Sequence, residues 1–210
     1  MSYFNILGVS GSGKTTYLQN NKVKFKSNII LDAYLKYTPK LIKYSANELL
    51  YMYYYYNKLS FINSNFNHKL IKLNRIDHIR YKYSLKNKLV IHNLVNSNLN
   101  ISKYDIVIDE GILSFIDNFF INPFFINDDF NYRPILDNLT YLPSKVIYLK
   151  IQESAFLNRY LSRKDKPWVT WSIFDTATIK SFYQKSQVMY DDYLCYLNNK
   201  YKIDVEVIEN

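Results

Sequence analysis

Apolar positions along this chain gather into short β-branched runs with longer stretches of helical spacing between them. Runs near 2 to 7, 28 to 32, 104 to 109, 145 to 150 and 203 to 208 predict strands. That alternation predicts an α/β domain, a parallel sheet covered by helices on both faces. Ser45-Ala46-Asn47-Glu48 has the form of a capping box and starts a helix through the tyrosine run Tyr51 to Tyr56. Consecutive helical residues point in different directions, so those tyrosines read as packing residues rather than one stacking platform. Residues 63–100 are polar, basic and helical in pattern, and carry Arg75, Asp77, His78, Arg80 and His92. The three histidines, His68, His78 and His92, have no metal-ligand spacing and read as surface residues. Lys145 to Ile151 reads as a strand, followed by a helix bearing Arg159 and Arg163 at i, i+4. Pro167 ends that helix, and Trp168 to Ser172 reads as a mobile lid.

Glycine changes the picture most. The chain has four, and Gly8, Gly11 and Gly13 fall within the stretch GVSGSGKT, while Gly111 follows an acidic pair. The stretch Gly8 to Thr15 satisfies G-x-x-x-x-G-K-[ST], the P-loop pattern, in which backbone N–H groups wrap phosphate oxygens where a strand gives way to a helix. Tyr3-Phe4-Asn5-Ile6-Leu7 supplies the strand, and Thr15-Thr16-Tyr17-Leu18-Gln19 can open the helix. Gly8, Ser10, Gly11, Ser12, Gly13, Lys14, Thr15 and Thr16 are therefore the expected nucleotide-binding residues. In such loops the lysine, here Lys14, reaches the β- and γ-phosphates, and the following hydroxyl, here Thr15, ligates Mg²⁺.

Magnesium needs a second anchor, because it keeps several waters and takes few protein oxygens. Tyr104-Asp105-Ile106-Val107-Ile108-Asp109-Glu110-Gly111 supplies one: a buried parallel strand with Asp109 at its carboxyl end. Arg159 and Arg163 share a helix face and could close over a triphosphate, offsetting charge spread across the transferring group. A solvated basic helix end complementing the macrodipole is the alternative for that pair.

Composition adds bounds rather than chemistry. At 210 residues and 48% apolar content, the expectation is a single domain over 1–210, with 63–100 a helical acceptor-side region and 159–172 a lid. The single Cys195 excludes an internal disulfide framework, and the N-terminus enters the first strand without a leader pattern, so a cytoplasmic setting is expected. No apolar run reaches the 18 or so residues that span a bilayer, so no membrane partner is expected. The net charge of +9 invites a nucleic-acid reading, but the lysines are spread rather than blocked. A positive field also suits a protein that handles polyphosphates.

With these residues in view, the chain resembles the P-loop nucleoside and nucleotide kinases, especially the thymidylate and deoxynucleoside kinases. GVSGSGKTT from Gly8 to Thr16, the strand-end Asp109, and KVIYLKIQESAFLNRYLSRKDK from Lys145 to Lys166 carry the likeness. Phe182 to Leu194 resembles the long helix after the lid, before the final strand Ile203 to Ile208. The resemblance implies the three-layer P-loop NTPase fold, with a five-stranded parallel sheet in the order 2-3-1-4-5 and a short helical lid. It further implies Mg·ATP as phosphoryl donor and a nucleoside, nucleotide or similar metabolite as acceptor. Asp32, ending the second strand, corresponds by position to the general base for the acceptor hydroxyl. Where these kinases commonly carry arginine after the strand-end acid, this chain has Glu110-Gly111, so Glu110 could orient an acceptor hydroxyl or a water instead. No N-K-x-D or L-S-G-G-Q segment occurs, which disfavours a GTPase or a transporter-type ATPase. A nucleotide-binding regulator without acceptor and a kinase acting on nucleic-acid ends stay open as alternatives.

Overall fold

In the computed structural model of the chain, the described residues are 3–9, 11–21, 88, 92, 106–108, 113, 114, 116, 131–139, 141–162 and 175–209. The elements are β1 (Tyr3–Leu7), α1 (Lys14–Asn20), β2 (Ile106–Ile108), α2 (Arg133–Asp137), β3 (Lys145–Lys150), α3 (Glu153–Ser162), α4 (Thr176–Tyr201) and β4 (Asp204–Glu209). The four strands form one sheet in the order β2-β1-β3-β4, every neighbouring pair parallel. The expected strands 1, 3, 4 and 5 thus stand side by side. The expected strand at 28–32, the capping box at 45–48 and the tyrosine run 51–56 lie outside the described residues.

Parallel pairing requires every connection to cross over a face, so both faces are covered. Alternation along β1 splits the core accordingly. Ile6 joins Ile147 and Leu149 beneath Tyr17 and Leu18 of α1. Leu7 turns to the other face and joins Val146, Tyr148 and the apolar residues of α2, α3 and α4.

The α4 helix is the largest structural commitment on that face. Its buried residues are Ile179, Tyr183, Ser186, Tyr190, Tyr193, Leu194 and Leu197, the three-and-four spacing that gives a helix one continuous apolar stripe. Asp175 caps its start, accepting from the Thr178 N–H at 2.7 Å, and Lys202 ends it in the left-handed region. The long helix expected after the lid is present and extends beyond Phe182 to Leu194 in both directions.

The neighbours of β1 are β2 on one side and β3 on the other, so chain connections diverge at β1. In open parallel sheets such a point leaves a crevice beyond the strands' carboxyl ends. The glycine-rich loop begins there.

Candidate functional site: the loop after the first strand

The register of β1 on β3 places Leu7 opposite Tyr148, which brings Gly8 level with Leu149. A Cβ at Gly8 would lie 2.8 Å from the Leu149 carbonyl oxygen and 2.6 Å from Ser12 Oγ. Only glycine fits that gap, and its φ of +144° is also one that L side chains rarely adopt. Beyond it, the Ser12 N–H donates to the Val9 carbonyl at 3.0 Å, closing a turn whose third residue, Gly11, has φ +89°. Positive φ at that position is what a type II turn demands. Gly13, at φ 93° and ψ 18°, then passes the chain into α1. Left-handed residues alternating along a loop bend it into a concavity suited to an anion.

Two cations attend this loop. The Lys14 ammonium donates to the Gly8 carbonyl and, at 3.4 Å, to the Val9 carbonyl. Arg159, exposed on α3, donates from Nη1 to the Gly11 carbonyl at 2.6 Å. Thr15 and Thr16 are exposed on the first turn of α1. The structure therefore brings together Gly8, Gly11, Ser12, Gly13, Lys14 and Arg159 at the carboxyl end of β1. Ser10, Asp32, Asp109, Glu110 and Arg163 lie outside the described residues. Residues 159–162 of the expected lid belong to α3, and 163–172 lie outside as well.

Beneath the loop sits a buried polar group absent from the sequence reading. Asn5, on the central strand, donates to the Tyr3 hydroxyl at 3.3 Å and accepts from Ser114 Oγ at 3.4 Å. Ser114 is helical and also reaches the Ile6 carbonyl at 3.5 Å. Burial pushes the Tyr3 hydroxyl pKa up to about 12, so it stays protonated and neutral at any physiological pH. An asparagine within an apolar run was the available signal, because a buried amide demands partners.

One expectation is corrected. His92 is a buried residue, 4% exposed, one helical turn from the equally buried Lys88, at 6%. Among the described residues neither ring nitrogen of His92 has a hydrogen-bond partner, and loss of hydration lowers its pKa to about 4. The polar character of 63–100 argued for a surface position, but one helical face can turn inward while the rest stays wet. His68 and His78 lie outside the described residues.

Among the described residues no cluster of three or more His, Cys, Asp or Glu side chains could hold a metal ion. No described helix is long and apolar enough to cross a membrane.

No protein-family model matches the chain, and no curated protein does. Solved structures do. The chain is similar to deoxyadenosine kinase from M. mycoides with the products dCMP and a flexible dCDP bound, at TM-score 0.50 and 15% identity over 98% of this chain and 89% of that one. The same kinase with bound dATP gives TM-score 0.44 and 16% identity over 99% of this chain and 90% of that one. With bound dCTP the values are 0.44 and 15%, over 99% and 89%. Divergent connections at β1, the glycine loop at its carboxyl end and the long α4 beside a parallel β4 give this chain the fold of a P-loop nucleoside kinase.

Proposed function

We propose that the chain is a phosphotransferase that moves the γ-phosphoryl group of Mg·ATP to a small acceptor, a nucleoside, a nucleotide or a similar metabolite. The observation that supports it best is the loop itself. Gly8 is pressed against the Leu149 carbonyl where no side chain fits, and two cationic side chains are stationed on the loop's backbone. Positive charge beside a loop of left-handed glycines suits an anion.

In this reading the loop from Gly8 to Thr16 binds the phosphates, and Lys14 exchanges its carbonyl partners for the β- and γ-phosphate oxygens. The donor set for magnesium is the Thr15 hydroxyl with the Asp109 carboxylate, hard oxygens of the kind that ion prefers. Thr15 is exposed on the first turn of α1, and Asp109 is the next residue after Ile108, which pairs with Asn5 three residues before Gly8. Bound there, the ion would supply charge neutralisation for the β- and γ-oxygens. The acceptor hydroxyl oxygen bonds to the γ-phosphorus, the bond to the β,γ-bridging oxygen breaks, and the hydroxyl proton passes to Asp32 or Glu110. Arg163 offsets charge on the transferring group. The acceptor is held by residues 63–100 of the same domain, and the exposed free thiol of Cys195 suits a reducing cytoplasm.

The test is a panel. Protein with Mg²⁺ and ATP is incubated with nucleosides, nucleotides, sugars and oligonucleotides, and ADP and phosphorylated product are followed by mass. Acceptor-dependent ADP release is expected. Equal release without acceptor would instead identify an NTPase, and a salt-sensitive product on oligonucleotides an end kinase.

A further inference from the structure

We propose that Arg159 is a positioning residue for the glycine loop, holding the Gly11 carbonyl and so fixing the turn before any nucleotide arrives. The inference rests on the reading of this loop as a phosphate cradle, and it goes beyond the expectation that Arg159 meets a triphosphate.

The turn from Val9 to Ser12 is closed by one backbone hydrogen bond, Ser12 N–H to the Val9 carbonyl. Its third residue is a glycine at positive φ, the residue type with the most backbone freedom to lose. Such a turn needs an external hold to keep one shape. Arg159 Nη1 supplies it at 2.6 Å, a short charge-assisted hydrogen bond onto the Gly11 carbonyl. The stem follows the head: a Cβ on Gly11 would sit 3.8 Å from the Arg159 Cβ, in ordinary van der Waals contact, so α3 lies directly against the loop.

The mount for that arginine is rigid. On the inward side of α3, Phe156 stacks on Tyr183 with ring centroids 4.9 Å apart, and Tyr160 is buried one turn on. At the start of α3, Glu153 pairs with Lys180 at 2.8 Å and accepts from Gln184 Nε2 at 2.8 Å. The Tyr183 hydroxyl donates to the Ile151 carbonyl just before the helix. α3 is therefore fastened to α4 at both faces of its first turns, and Arg159 carries that stiffness to Gly11. Arginine suits the task, because its planar fork can hold a carbonyl with one N–H while its charge and remaining donors stay beside the loop.

The test is amide hydrogen exchange in the nucleotide-free protein, read on a peptide covering residues 8–14. Arg159→Met keeps the aliphatic stem and removes the donor. It should speed exchange of the loop amides about tenfold, the order of effect for one charge-assisted hydrogen bond, and Arg159→Lys should restore most of the protection. Exchange across 183–197 should stay as in the wild type, and if it does not, Arg159→Ala is measured in its place. In steady-state assays the Met variant should raise KM for ATP more than it lowers kcat. Loop exchange within twofold of the wild type in the Met variant, or a kcat loss with KM unchanged, would overturn the inference. Because the exchange is read without nucleotide, a loosened loop in a protein that never turns over ATP would sink the kinase reading and leave this one standing.

Discussion

The two faces of the sheet bury different chemistry. Toward α1 the described contact is mostly aliphatic, with Ile6, Ile147 and Leu149 buried and Tyr17, Leu18, Val107 and Ile208 laid over them. No residue of α1 is itself fully buried. Toward α4 the contact is broad and aromatic, with Tyr132, Tyr148, Phe156, Tyr160, Tyr183, Tyr190 and Tyr193 in one cluster. Rings there meet in pairs, Tyr148 with Tyr190 at 4.6 Å and Tyr132 edge-on to Tyr193 at 4.9 Å. The hydroxyls of three of these tyrosines find acceptors, Tyr148 at Gln187 Oε1, 3.0 Å away, Tyr132 at Asp192 and Tyr183 at the Ile151 carbonyl. Among the described residues the difference separates two tasks: the α4 face carries the aromatic packing, while the α1 face carries the loop. The loop is thus held from both sides, by Lys14 of α1 and by Arg159 of α3, which belongs to the aromatic face.

The sharpest break between the two regions is expected at Lys14 and Tyr190. Lys14→Ala removes a charge from the loop and little packing. Turnover should fall about a thousandfold, the scale seen when a preorganised charge partner is lost, with the urea midpoint nearly unchanged. Unchanged turnover would remove Lys14 from the mechanism. Tyr190→Ala, at a fully buried ring, should cost about 3 to 5 kcal/mol in urea denaturation. Leu18→Ala, at a half-buried position of α1, should cost about 1 kcal/mol. Equal losses at the two sites would mean that the faces share the load.

The scaffold, though not the chemical difference between its faces, was largely legible in the sequence, for definite reasons. Strand positions followed from β-branched runs such as Ile106-Val107-Ile108, and the loop from glycines concentrated where the chain otherwise has almost none. The run read as a strand from Lys145 to Ile151 is β3, which ends one residue earlier at Lys150. What the sequence hid was direction. Arg159 and Arg163 share a helix face by spacing, but spacing alone does not tell that Arg159 turns to the Gly11 carbonyl. His92 looked wet because its neighbours are polar, yet its own face points inward. The amide of Asn5 has a partner 109 residues away in Ser114, a separation no local pattern encodes.

That hidden histidine gives the next prediction. Its pKa is lowered from 6.5 to about 4 by burial, so between those values the unfolded chain binds a proton that the folded chain refuses. Stability therefore falls as pH drops from 6.5 toward 4, by about 2 kcal/mol at pH 5. His92→Leu should remove that loss and gain more over the wild type at pH 5 than at pH 7.5 in matched urea titrations. An identical gain at both pH values would mean that the imidazole does not titrate in this window.

The smallest effect is expected where α2 meets the end of α4, at a rim of the aromatic face. Asp137 accepts from Lys200 at 2.6 Å, from the Tyr201 hydroxyl and from Tyr196 at 3.1 Å, and the Lys200 partner leads the causes that hold its carboxyl below 3.8. A depressed carboxyl stabilises the fold above its unfolded pKa and ceases to do so as pH falls through the folded value. The group is exposed, so solvent screens the pair and the contribution is small. Asp137→Asn should lower the thermal midpoint at pH 6 by about 2 °C and flatten the acid limb only below pH 3.8. That window lies under the one assigned to His92, so the two variants acting on the same pH range would show that the rim and the interior titrate as one unit.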